Sequence, residues 1–304
     1  MQIPLRGIVT PLVTPLEEPY RAEPSLDVLA LERLIEHVIA GGVNGLFLLG
    51  TTGEFTSLGR ELRQEIIRRA STQANGRVPV LANISDTAVS ESLRLAETAE
   101  ESGADALVLA PPFYFQNSQE DLFRYIENIA ARVALPVFLY NIPHLTKNSF
   151  YPETVRRASD LPGVVGLKDS THDPAYLDQV LAVMKDRPGF SILIGPEEML
   201  EDSMRRGAIG GVCGGSNLLP RLFVSLYGAI ESGDTLLAAE LQEKVVRMGA
   251  MLYRTGFAGT SYLRGIKAAL SLAGICRATP APPVLPFSGA EFAELEQRYR
   301  MFIE

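Results

Sequence analysis

Cysteine occurs only twice in the 304 residues, as Cys213 and Cys276, with no spacing that suggests a disulfide framework or a zinc site. Both are expected to be reduced and structural, which suits a cytoplasmic protein. Long apolar runs are missing as well. The longest nearly apolar stretch, 106–115, is broken by Pro111 and Pro112, well short of the roughly 18 residues of a membrane-spanning helix. Met1 to Pro15 carries threonines and prolines where a signal peptide needs an unbroken apolar core. Positive charge is in deficit: 28 Lys+Arg against 36 Asp+Glu leave a net charge of −8 and a pI near 5.1. No global field therefore recruits nucleic acid or an anionic membrane, and an anionic substrate needs a locally favourable pocket. No Gly-x-Gly-x-x-Gly opens the first helix, no P-loop or Gly-x-Ser-x-Gly is present, and His37, His144 and His172 lack metal-ligand spacing. Dinucleotide binding, serine hydrolysis and metal catalysis fit poorly.

What the chain does contain is a rhythm. Hydrophobic residues make up 46% and charged residues 21%, enough for a sizeable core. Short apolar runs recur at 7–14, 45–50, 78–84, 106–110, 136–141, 164–168, 190–195 and 208–214. Each is followed by a turn signal and then a stretch of helical periodicity. The runs do not alternate polar with apolar, as expected of parallel strands covered on both faces. Eight such units favour a closed (β/α)8 barrel over an open doubly wound sheet. Helix punctuation agrees: Ser118 stands three residues before Asp121 in capping-box spacing, and Gly41–Gly42 and Gly103 follow predicted helices. After Pro220 only helices are predicted, at 222–232, 235–253, 261–273 and 290–302, with a Pro-rich connector at 279–286. The expected division is a catalytic α/β barrel over 1–225 and a C-terminal helical domain over 226–304.

In such a barrel the chemistry gathers at the carboxyl ends of the strands. There the sequence places Thr14, Gly50-Thr51-Thr52-Gly53-Glu54, Tyr140-Asn141, Lys168-Asp169, Gly195-Pro196-Glu197 and the glycines around Cys213. Lysine is scarce, five residues against 23 arginines. Lys147, Lys185, Lys244 and Lys267 are expected in loops or on helices with polar neighbours. Lys168 instead completes an apolar strand. Burial disfavours its ammonium and lowers its pKa, which makes a lysine nucleophilic toward a carbonyl carbon. A lone strand-end lysine more often snorkels to the rim, so the reading needs partners. Tyr140 ends the preceding strand, within reach across about 4.8 Å of sheet, and its phenol can shuttle protons. The turn at Thr51 and Thr52 exposes backbone N–H groups suited to a carboxylate. Tyr114 lies in an apolar loop of the kind that marks an interface. His37 reads as structural, and His144 and His172 as solvated loop residues near the mouth.

Gly-Thr-Thr-Gly-Glu at 50–54, Pro-Pro-Phe-Tyr at 111–114, Tyr-Asn-Ile-Pro at 140–143 and Gly-Leu-Lys-Asp at 166–169 resemble the dihydrodipicolinate synthase/N-acetylneuraminate lyase family in order and separation. The resemblance implies a (β/α)8 barrel, class I aldolase chemistry without metal or cofactor, and a homotetramer built as a dimer of dimers. It implies that Lys168 forms the Schiff base with pyruvate or a 2-oxo acid and that Tyr140 is the acid/base group. It further implies that Thr52 relays protons to Tyr114 of a neighbouring subunit, that Thr51 and Thr52 hold the pyruvyl carboxylate, and that Gly195 and Val212 line the pocket. One departure bears on substrate. The synthases carry an arginine two residues after Tyr-Asn-x-Pro for the carboxylate of aspartate semialdehyde, where this chain has Leu145, and Lys147 replaces the usual glycine. Losing such a charge-assisted bond costs about 1.5 to 3 kcal/mol; His144 or Lys147, on the same loop, are the candidates to replace it. The expectation is a pyruvate-dependent aldolase acting on a 2-oxo acid, first among them a 2-keto-3-deoxy sugar acid, with an aldehyde as the other product. The alternatives are dihydrodipicolinate synthesis, a dehydratase of the same family and, last, a barrel that binds 2-oxo acids without turnover.

Overall fold

The computed structural model describes residues 1–18, 23–255 and 258–303. Within them eight strands pair in parallel and in chain order: β1 (Gly7–Pro11), β2 (Gly45–Leu48), β3 (Val80–Asn83), β4 (Ala106–Leu109), β5 (Val137–Asn141), β6 (Val164–Asp169), β7 (Ser191–Ile194) and β8 (Gly210–Val212). β8 pairs back onto β1, which closes the barrel. The physical reason for the unbroken apolar runs is visible in the packing. Val9, Phe47, Leu81, Val108, Phe138, Leu193 and Val212 fill the barrel interior as one cluster. Their strand neighbours Ile8, Leu46, Val80 and Leu107 pack outward among helices on one side of the barrel, and Leu139, Leu167 and Ile192 do so on the other. Both faces are apolar, so no alternation appears. Gly166 is inward on β6, where a Cβ would lie 2.4 Å from the Phe138 ring. Glycine there cedes the barrel's centre to Phe138 and leaves the next inward position, Lys168, nearer the mouth.

The punctuation acts as its chemistry suggests. Ser118 accepts from the Asp121 N–H at 3.2 Å and Asp121 accepts from the Ser118 N–H at 3.1 Å, a reciprocal cap on the helix Gln119–Ala130. Gly42 and Gly103 take left-handed backbones after their helices, with φ of 88° and 77°, whereas Gly41 stays right-handed. β1 ends sooner than its apolar run: beyond it the Val13 N–H donates to the Asn217 side chain at 3.1 Å and Thr14 Oγ1 to the Gly53 carbonyl at 2.7 Å.

Four further helices follow β8: Pro220–Ser232, Thr235–Leu252, Ala258–Leu272 and Gly289–Ile303. Residue 225 falls inside the first of these, which runs unbroken from the wall of β1 to the next helix. The segment 279–286 carries no helix or strand. Cys213 and Cys276 are free thiols, both buried. Among the described residues no helix is long and apolar enough to cross a membrane.

Candidate active site

Tyr140 and Lys168 are direct Cα partners in the parallel register of β5 and β6, so their side chains leave the sheet on the same side. That side is the barrel interior, where Tyr140 is 2% and Lys168 7% exposed. Lys168 Nζ lies 4.1 Å from the centroid of the Tyr140 ring and 4.8 Å from that of Phe47. Ring faces attract an ammonium, but desolvation opposes it and prevails. Burial pushes the amine down from 10.5 to about 7, with the neighbouring Cys213 acting weakly the other way. A large fraction of the amine is therefore free at neutral pH. Burial pushes the Tyr140 phenol up to about 12 against the hydrogen bond from Thr51, so it stays protonated and able to donate.

The turn after β2 forms the other wall. Leu49 and Glu54, at its two ends, both have φ near 58°, left-handed conformations that cost a non-glycine residue about 1 to 2 kcal/mol each. Gly53 has no room for a side chain: a Cβ would lie 3.1 Å from the Leu12 carbonyl and from the Leu49 backbone. The N–H groups of Gly53 and Glu54 close the turn on the carbonyls of Gly50 and Thr51, at 3.0 Å each. Those of Thr51 and Thr52 meet no acceptor among the described residues. Two adjacent unpaired donors make an anion-binding concavity without formal charge.

The structure corrects the assignment of the two threonines. Thr51 Oγ1, not Thr52, lies 3.1 Å from the Tyr140 hydroxyl. Thr52 Oγ1 lies 3.0 Å from the hydroxyl of Tyr262, in the C-terminal helix Ala258–Leu272. The two adjacent hydroxyls thus meet different tyrosines, and the one beside Tyr140 is that of Thr51 rather than Thr52. Tyr114 does not enter this chain's own pocket. It is 83% exposed, with φ of 97°, and its ring stacks edge-to-face on Phe115 at 5.1 Å. Val212 belongs to the barrel interior. Gly195 abuts Ser170, whose Oγ would lie 2.0 Å from a Cβ there, so glycine at this strand end makes room for Ser170.

Lys267 is the second correction. It is not on a polar helix face but 1% exposed, ion-paired with the equally buried Glu54 and donating to the Thr279 carbonyl at 2.7 Å. Its sequence neighbours Ile266, Ala268, Ala269 and Leu270 are all buried, a signal that was available. Tyr262 gave none. Glu197, at the end of β7, is buried with Oε2 accepting from the Gly215 N–H at 2.7 Å, and burial pushes its carboxyl up to about 7. At the rim, His172 Nε2 lies 3.5 Å from Glu198, whose hydrogen bond raises the imidazole pKa, and its ring meets that of His144 at 5.9 Å. Leu145, 53% exposed, and the exposed Lys147 share that loop. His37 is structural, with Nε2 3.1 Å from the Leu218 carbonyl.

A closed barrel that buries a partly uncharged lysine against a phenol at the carboxyl ends of its strands defines an imine-forming lyase of the class I aldolase type. Residues 4–300 match the dihydrodipicolinate synthetase family, and the chain belongs to it. Members of that family are lyases that work through a lysine Schiff base with pyruvate. The putative 2-dehydro-3-deoxy-D-gluconate aldolase YagE of Escherichia coli is 32% identical over 97% of both chains. The 4-hydroxy-tetrahydrodipicolinate synthase of Leptothrix cholodnii is 33% identical over 98% of both. A solved structure of dihydrodipicolinate synthase from Bacteroides thetaiotaomicron superposes with a TM-score of 0.95 and 48% identity, covering 99% of this chain and 100% of that one.

Proposed function

We propose that this protein is a pyruvate-dependent aldolase that cleaves a 2-keto-3-deoxy sugar acid through an imine at Lys168. The carrying observation is the buried amine of Lys168, lowered to about 7 and set over the ring of its register partner Tyr140. The neutral Nζ adds to the C2 carbonyl. Tyr140, held in its phenol form, gives the departing hydroxyl its proton, and water leaves an iminium. That cation is the electron sink for breaking the C3–C4 bond: the C4 hydroxyl gives its proton to the Tyr140 phenolate, by way of Thr51, as the aldehyde departs, and the re-formed phenol passes that proton to C3 of the enamine. Water then hydrolyses the imine and releases pyruvate. The free N–H groups of Thr51 and Thr52 hold the carboxylate throughout. Gly195 and Val212 shape the wall, the first by admitting Ser170.

Tyr114 acts from a second copy of the chain, in a homotetramer built as a dimer of dimers. Its exposed ring, carried on a left-handed backbone beside the exposed Phe115, supports that reading, since such a patch in a folded chain marks a contact surface. Two buried, unpaired thiols suit a cytoplasmic protein. The choice of sugar acid rests on the rim. Leu145 offers no bidentate partner to a second carboxylate, and His144 stands against His172, which is itself engaged by Glu198. Hydroxyl groups suit such donors and acceptors better than a carboxylate. Dihydrodipicolinate synthesis is the second reading, favoured by the 48% identity to the Bacteroides thetaiotaomicron enzyme.

Borohydride reduction with pyruvate should give one stable adduct by intact mass, lost in Lys168→Ala. Pyruvate release from sugar acids, assayed beside condensation with aspartate semialdehyde, decides the acceptor, and clear preference for the semialdehyde rejects the first reading.

A further inference from the structure

The turn that offers its N–H groups at Thr51 and Thr52 is held from two sides. From the barrel, Asn83 donates to the Leu49 carbonyl at 2.7 Å and Thr14 to the Gly53 carbonyl at 2.7 Å. These two grip carbonyl oxygens, and Tyr140 meets the Thr51 hydroxyl at 3.1 Å. From the C-terminal region, one helix grips the side chains of Thr52 and Glu54. Tyr262 meets the Thr52 hydroxyl at 3.0 Å, and Lys267, on the same helix Ala258–Leu272, is ion-paired with Glu54. The remaining Glu54 oxygen accepts from the Ala281 N–H at 2.7 Å, while Lys267 Nζ donates to the Thr279 carbonyl at 2.7 Å. Glu54, Lys267, Thr279 and Ala281 thus form a bonded ring, each of them at most 5% exposed.

We infer that the helix Ala258–Leu272 is a positioning element for the carboxylate-binding turn, acting through Tyr262 on Thr52 and through Lys267 on Glu54. The inference rests on the reading that this turn receives the 2-oxo acid's carboxylate. Its two contact points flank Gly53, one of the two glycines that give the turn its torsional freedom. Fixing Thr52 and Glu54 on either side of Gly53 sets the direction of the Thr51 and Thr52 N–H groups, which meet no acceptor among the described residues. A joint needed only for cohesion is served as well by apolar side chains, since buried ion pairs often exchange for them without loss of stability. A directional pair sets an angle that apolar packing does not. Lys267 and Tyr262 are positioning residues, acting through Glu54 and Thr52.

The test uses the full chain and pyruvate, reading the concentration that half-saturates borohydride trapping at Lys168 together with the adduct formed at saturation. Tyr262→Phe keeps the ring and removes one hydroxyl. Glu54→Gln/Lys267→Met removes both buried charges together, so neither is left unpaired should Lys267→Met alone not fold. In each folded variant the half-saturating pyruvate concentration should rise about five- to tenfold, the loss expected for one misdirected hydrogen bond, with full adduct still reached at saturation. A role in cohesion alone would lower the melting temperature and leave half-saturation within about twofold of the native value, which overturns the inference. A reduced maximal adduct at unchanged half-saturation also overturns it, because the helix would then act on Lys168. Absence of any adduct with the native chain instead removes the functional reading, and the inference falls with it.

Discussion

The proposed imine half of the site and the proposed carboxylate half are anchored by different parts of the chain. Lys168 and Tyr140 come from neighbouring strands, whose register slips by one residue between Val137 and Phe138 and then runs in step from the pair Phe138 and Gly166 to the pair Tyr140 and Lys168. Thr51 and Thr52 sit on a turn with two left-handed non-glycine residues, steadied by a helix that the chain reaches only after the barrel is complete. Strand register gives the chemistry its nucleophile at low cost in long-range contacts. The anion pocket depends on tertiary bonds that must each be made. Damage in the first half should therefore abolish reaction, and damage in the second should loosen binding except at the Thr51 hydroxyl, which meets Tyr140 and so belongs to both.

The largest effect belongs to Lys168→Met, which should eliminate both turnover and borohydride trapping. The same variant should also be more stable than the native chain, and the gain should depend on pH. In the unfolded chain this lysine titrates at its ordinary 10.5, whereas in the fold burial sets it at about 7. Between those values the unfolded chain binds a proton that the folded chain does not, so native stability rises with pH across the window and the penalty is complete below about 7. Methionine carries no such penalty. Its advantage in urea midpoint should be greatest in mild acid and shrink as pH rises through the window; an advantage independent of pH would mean the native amine is charged in the fold. For the native chain, the rate of adduct formation should drop about tenfold per pH unit below that inflection. Next in size is Tyr140→Phe, expected to lower kcat by about 10²- to 10⁴-fold, the usual worth of a positioned acid/base. Steady-state assays that find kcat preserved would transfer the proton work elsewhere.

The same contrast explains what could be read from the amino-acid order. Strands covered on both faces must be apolar throughout, and chain order makes β5 and β6 neighbours, so the pairing of Tyr140 with Lys168 is legible without coordinates. The capping box at Ser118 is legible for the same local reason. Which of two adjacent threonines faces Tyr140 is not, because it turns on the left-handed backbone of Leu49 and Glu54, a conformation those residue types do not announce. Tyr262 and Lys267 are further from reach: their partners lie at the other end of the sequence, and a lysine on a helix is ordinarily a solvated residue. Only the apolar company of Lys267, from Ile266 to Leu270, hints otherwise. A boundary set where the strands cease falls inside a helix for a related reason, since the element covering β1 also begins the helical region.

The smallest expected effects separate the neighbouring threonines and so test the contrast at its finest grain. Thr51→Val keeps the side chain's shape and removes the hydroxyl 3.1 Å from Tyr140. The phenol then loses the partner through which it exchanges its proton, so kcat should fall by about tenfold or more with little change in KM, the pattern of an interaction made in the transition state. Thr52→Val removes the hydroxyl that Tyr262 meets. It leaves Tyr140 untouched and frees the turn, so KM should rise about three- to tenfold at nearly constant kcat. The opposite assignment, with the kcat effect at Thr52 and the KM effect at Thr51, would restore the relay to Thr52 and mean that the turn changes hand when substrate binds.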